Sequence, residues 1–229
     1  MFTNKKAIYQ LKDLAERAHT SLSSGFSDRW IFKEILKYRA RLIKQKYRQG
    51  ISLMQSNFQE SLCYNLIEVP KSDCVCSLSP DCTLYRTETI VPKTIIPLKS
   101  VYNPSNSKQY QYSDISKLRF RATTRYKGLA NKSFYYISDQ GKGDYIYVVS
   151  ENPLLRNIIT SGIYENPLEI QTMKNCEGIQ NFPCRSFYDY EMRIDESLFT
   201  TVQEMVVKNW WSLKMTNPLD LENNGNTEK

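Results

Sequence analysis

The sequence predicts an α+β fold: a long basic amphipathic helix and a C-terminal helix packed with a small, mostly antiparallel β-region. Three observations lead there. Apolar residues recur at helical spacing near both ends of the chain. Short runs rich in β-forming residues fill the middle. The two kinds of segment are segregated rather than alternating, which argues against a doubly wound α/β sheet. The expected organisation is an N-terminal helical region 1–60, a β-rich region 61–194 with two cysteine loops, a C-terminal helix 195–215 and a polar tail 216–229, together one compact domain.

In chain order, Lys5 to Arg17 forms a short helix with Ile8, Leu11, Leu14 and Ala15 on one face and Asn4 as its cap. Thr20 to Phe26 is a polar hinge around Gly25. The next stretch, SDRWIFKEILKYRARLIKQKYRQ from Ser27 to Gln49, is the strongest helical signal. Ser27 is an N-cap, Asp28 places negative charge in the first turn, and Gly50 ends the helix. Trp30, Ile31, Ile35, Tyr38, Leu42 and Ile43 make its apolar stripe. The remainder carries Arg29, Lys33, Lys37, Arg39, Arg41, Lys44, Lys46 and Arg48, opposed only by Asp28 and Glu34.

A short helix is expected over Ile51 to Gln59, and a strand over Leu62 to Val69 that Pro70 ends. A loop with three cysteines follows, then a strand over Thr83 to Val91. Pro92 and Pro97 push the next residues to an edge or an extended segment, and Asn103 to Tyr112 reads as a surface loop. Asp114 to Tyr126 holds a helical turn or two and a second basic segment. Ser133–Ser138 and Tyr145–Ser150 form a hairpin across DQGKGD, whose two glycines suit a turn. Asn157 to Tyr164 is β-rich, and Asn166-Pro167 opens a helical piece reaching about Met173. In Asp195 to Lys214, Leu198, Val202, Met205, Val206 and Trp210 face one way. The tail from Thr216 is expected to be disordered or ordered only by a partner.

Composition narrows the function classes. The 229 residues carry a formal charge of +7, which suits an acidic partner. The 16 tyrosines suit contacts that stay partly wet, as interfaces do. No apolar run reaches the roughly 18 residues of a membrane span, so no membrane partner is expected. The polar N-terminus lacks the apolar middle of a signal peptide, so the chain reads as one folded in the cytoplasm. A single histidine, His19, leaves Ser-His and Cys-His catalysis almost nothing to use. There is no phosphate-binding loop, and GKGDY at Gly141 lacks a following helix. No catalytic residues are expected.

The cysteines are the one chemical constellation. Cys74, Cys76 and Cys82 lie in one loop, Cys176 and Cys184 in another, and Cys63 lies within a strand pattern that reads as core. Four thiolates from two loops could hold structural zinc, although C-x-C-x5-C and C-x7-C are not the usual knuckle spacings. A disulfide joining the loops and free buried thiols are the other readings, and all three stay open. Apart from this candidate zinc, no cofactor is expected.

Several stretches together resemble one kind of protein. These are WIFKEILKYRARLIKQ, DCTLYRTETIVPKTI, YIYVVSENPLL, GIYENPLEI, the C-x7-C loop and the closing amphipathic helix. From about Trp30 to Leu213 the chain resembles the small structural proteins that form rings in the neck of crAss-like phages, short-tailed phages of gut Bacteroidales. The resemblance implies a virion ring subunit, dodecameric to match the portal, made in the bacterial cytoplasm. Its partners would be itself, the portal protein and other neck or tail rings, with packaged DNA passing through. A head-to-tail ring closes through a heterologous interface. On this reading the expected subunit or portal contacts are Arg39, Arg41, Lys44, Arg48, Trp210 and Trp211. The competing reading is a DNA-binding protein that uses the basic helix 28–49.

Overall fold

The structure, a computed structural model, describes residues 2–18, 27–51, 58–74, 82–105, 108–114, 116–117, 133–141, 143–173, 176 and 186–215. The elements are α1 (Asn4–Ala18), α2 (Asp28–Arg48), β1 (Glu60–Glu68), β2 (Thr83–Thr87), β3 (Ser100–Tyr102), β4 (Gln109–Tyr112), β5 (Phe134–Asp139), β6 (Asp144–Ser150), β7 (Asn157–Gly162), α3 (Pro167–Thr172) and α4 (Glu196–Met215). They divide into two compact units, one from Met1–Phe58 with Arg185–Lys229 and one from Gln59–Cys184.

The first unit joins the two ends of the chain. The Met192 amide donates to the Phe2 carbonyl at 2.8 Å, and the Asn4 amide donates to the Tyr190 carbonyl at 2.9 Å. These bonds hold the start of α1 against the segment that leads into α4. Thr3, not Asn4, caps α1: its Oγ1 accepts from the Lys6 amide and its carbonyl from the Ala7 amide. Asn4 is buried instead, and its Nδ2 donates to the Phe187 carbonyl at 2.8 Å. Ala7, Ile8, Leu11 and Ala15 form the buried stripe of α1, while Leu14 is exposed. At 100° per residue Leu14 lies about 20° beyond Ala7, at the open edge of that stripe.

Ser27 caps α2 as expected, its side chain accepting from the Trp30 amide. The helix buries Ile31, Phe32, Ile35, Tyr38, Arg39, Leu42 and Ile43. Phe199, Val202, Val206 and Trp210 are buried on α4 at steps of three and four. Burying each large apolar side chain is worth roughly 1.5–3 kcal/mol.

The second unit is a closed barrel of seven strands in the order β1-β2-β6-β5-β4-β3-β7, with β7 back on β1. Every pair is antiparallel except β4 with β5. Closure depends on β1. Its first residues, Glu60–Asn65, pair with β7, and Leu66–Glu68 pair with β2. One long strand thus serves two neighbours, and no edge is left unpaired. The expected hairpin is β5–β6, in register from Phe134 opposite Val149 to Asp139 opposite Asp144.

The α+β class expected from the sequence is overturned. The strands are a closed mixed barrel rather than a small β-region, and α2 and α4 belong to a unit of their own. Two missed strands account for the error. β3 lies in the stretch read as an extended segment after Pro97, and β4 lies in the stretch read as a polar surface loop. Their three and four residues are too few to show a period in sequence, and pairing across the barrel defines them. The strand expected over Thr83 to Val91 is also shorter and stops at Thr87. Residues 52–57 of the helix expected over Ile51 to Gln59, and most of Asp114 to Tyr126, lie outside the described residues.

Tyrosine fills the barrel. Tyr64, Tyr85, Tyr110, Tyr135 and Tyr164 join Leu62, Val101, Ile146, Val148 and Ile158 in one buried cluster. On the other faces of β2, β5 and β6, Leu84, Phe134, Tyr136, Tyr147 and Val149 form a second cluster. There Tyr136 and Tyr147 stack at 5.0 Å between ring centroids. Much of the tyrosine expected at wet contacts is therefore interior. Burial pushes the Tyr135 hydroxyl up to about 12, and it raises Tyr64 and Tyr136 further.

Candidate assembly surfaces

Helical spacing sets the outer side of α2. Lys33, Lys37, Arg41, Lys44 and Arg48 follow at steps of four, four, three and four residues, and all five are exposed. They form a stripe about 22 Å long at 1.5 Å rise per residue. Glu34 is the carboxylate beside it. Its Oε2 accepts from Lys37 Nζ and from Asn209 Nδ2 of α4, both at 3.2 Å. Lys37, Ala40, Arg41, Lys44, Gln45, Arg48 and Gln49 line a shallow trough of about 550 Å³ along this side. The result is a straight row of cationic heads on aliphatic stems.

The start of α2 is tied down by charge. Asp28 pairs with Lys12 of α1 at 2.5 Å, and the Tyr188 hydroxyl donates to Asp28 Oδ2 at 2.6 Å. The bonds from Lys12 and Tyr188 hold the Asp28 carboxyl below the usual carboxylate range.

The expected contact residues divide between surface and core. Arg41, Lys44 and Arg48 lie on the exposed stripe. Arg39 is 0% exposed, and its Nε donates to the Arg193 carbonyl at 2.7 Å. The sequence reading grouped it with the basic face, but spacing carries the correction. Arg39 lies four residues after Ile35 and four before Ile43, on the buried stripe. Trp210 is 1% exposed, with its ring 5.9 Å from that of Trp30. It belongs to the core of its own unit. Trp211 lies in α4, and its side chain is outside what the structure describes.

Of the cysteine readings left open by the sequence, none pairs Cys63. Cys63, read as core, forms a disulfide with Cys176. That bond ties β1 to the residues after α3. Cys74 is also disulfide-bonded, and Cys82 is a buried thiol. Cys76 and Cys184 lie outside the described residues. Sulfur committed to a disulfide is not a thiolate for zinc. Among the described residues no group of three or more His, Cys, Asp and Glu is arranged to hold a metal.

A second concavity was not legible in the sequence, because three separated segments build it. Ile90–Lys93, the β5–β6 turn and the start of α3 surround about 440 Å³. Asp139, Asp144, Glu165 and Glu169 line it, with Lys93 as the cation of the lining. Gly143 lets the turn lie against Ile90. A Cβ there would sit 2.7 Å from Ile90 Cγ2, and its φ of +143° is one that side-chain-bearing residues rarely adopt.

Among the described residues no helix is long and apolar enough to cross a membrane. The family model described as phage tail ring protein 2 matches residues 6–229 and so spans both units. The chain is also similar to Ring protein 2 of Bacteroides phage crAss001. The two are 29% identical over 210 residues, covering 90% of this chain and 89% of that protein.

Proposed function

The chain belongs to the phage tail ring protein 2 family, whose members are virion structural ring proteins, and from that premise we propose a place for it in the neck. Its ring joins the portal at the capsid vertex to the tail and continues the DNA channel. The ring is dodecameric, in step with the portal, and its other neighbours are neck or tail ring proteins. The protein is made in the cytoplasm of the bacterial host. It works by assembly and performs no reaction.

The observation that carries this reading is the extent of the match, residues 6–229, which includes both compact units. The exposed Arg41, Lys44 and Arg48 supply charge to a contact surface, and charge complementarity sets the register of such interfaces. The deciding experiment is a reconstruction of intact particles carrying a tagged copy of this chain. The expected result is a ring at the neck, coaxial with the portal. Density at the tail tip or in the capsid shell overturns the neck placement. A chain absent from particles overturns the structural role as well.

A second reading is favoured by the cationic stripe alone: α2 binds the phosphates of duplex DNA. It requires an isolated subunit that shifts DNA with an affinity falling steeply as salt rises. No shift at moderate salt removes it.

A further inference from the structure

We propose that the cationic stripe of α2 docks into the acidic concavity of the barrel of a second copy, so that each subunit grips the next around the ring. This rests on the reading of the chain as a ring subunit and names the partner of the α2 surface.

Three features support the match. First, the signs are opposite. Lys33, Lys37, Arg41, Lys44 and Arg48 are exposed along one side of α2, and four of the five charged residues lining the concavity are carboxylates. A hollow of that sign attracts a cationic partner. Phosphate would be repelled there, so DNA does not compete for the concavity.

Second, the hollow is not purely polar. Ile90 lines it and is 42% exposed, one of the large apolar side chains left open on the surface. Lys and Arg have aliphatic stems beneath their charged heads. Inserted side chains of α2 can lay stems on Ile90 and direct heads to Asp144 and Glu169, both exposed.

Third, the two surfaces are different patches of the same chain, one in each unit. A heterologous interface needs such a pair, and repeated head-to-tail it closes a ring.

The test uses two charge reversals, R41E/K44E/R48E on α2 and D144K/E169K at the concavity. Each is expressed with the remaining virion proteins, and its copies in purified particles are counted by quantitative mass spectrometry. Each variant alone juxtaposes like charges at every contact, and incorporation falls at least about tenfold. Supplied together, the two variants restore it to within about twofold, because they can alternate. The reversed helix of one meets the reversed concavity of the other. That mutual rescue is specific to contact between copies.

Circular dichroism of each purified variant checks folding. A variant that fails to fold is replaced by R41Q/R48Q or D144N/E169Q, which is expected to weaken incorporation without reversing charge. Normal incorporation of D144K/E169K alone overturns the proposal, as does failure of the folded pair to rescue. If wild-type chain enters particles in either case, the ring reading stands and only this partner assignment falls. Absence of wild-type chain from particles refutes the ring reading itself.

Discussion

Trp210→Ala should be a folding defect rather than an assembly defect. The indole is 1% exposed and packs against Trp30 across α2 and α4. A buried aromatic of this kind removes about 150–250 Å² from water. At roughly 25 cal/mol per Å² that is about 4–6 kcal/mol, of which alanine keeps a small part. Measured aromatic-to-alanine changes in cores cost about 3–5 kcal/mol, so the two routes agree. Against a typical total of about 5–15 kcal/mol, the helical unit loses a large share of its stability. Urea unfolding followed by circular dichroism at about 222 nm reads mainly helix. With a slope of about 2 kcal/mol per M, a 4 kcal/mol loss lowers the midpoint by about 2 M. Arg41→Glu, on the exposed side, should stay within about 0.5 kcal/mol of wild type. A Trp210→Ala midpoint within about 0.3 M of wild type, with incorporation into particles lost, would refute the core assignment and restore Trp210 as a contact residue.

Three other outcomes follow from the geometry. The Cys63–Cys176 bond closes a separation of 113 residues, for which chain entropy gives close to 5 kcal/mol at most and about 2–5 kcal/mol is usual. Cys63→Ser should therefore lower the unfolding midpoint under oxidising conditions, and the mass of non-reduced wild type should rise on reduction. Asp28 has a folded pKa below its unfolded value, so its contribution is present above the unfolded pKa near 4 and is lost as pH falls through the folded value. Asp28→Asn should cost about 1 kcal/mol at pH 7 and flatten the acid limb of a stability-against-pH curve. Tyr64, Tyr135 and Tyr136 have raised folded pKa values, so their contribution is full below about 10 and lost as pH rises. Absorbance at about 295 nm should show a late, cooperative step that coincides with unfolding of the barrel rather than a smooth titration.

Local signals were legible wherever one element carries its own pattern. The cap at Ser27, the apolar stripe of α2, the β5–β6 hairpin and the Asn166-Pro167 helix start all depend on residues within a few positions of each other. Arg39 was also legible, since its spacing from Ile35 and Ile43 marks the buried side, but its charge drew it to the basic group. The acidic concavity was not, because its lining comes from residues about fifty and then about twenty positions apart.

By itself the sequence determined the capped helix, the hairpin and, through several stretches taken in order, the family. These follow from short-range spacing and from residue chemistry, which a linear string preserves. Only tertiary structure decided that the strands close into a barrel, that tyrosines fill it and that Cys63 meets Cys176. The reason is pairing at long range. β1 finds β7 about a hundred residues away, β3 finds β7 about sixty residues away, and β4 finds β5 across an intervening segment. A three-residue strand has no signature until the partner that satisfies its backbone is beside it.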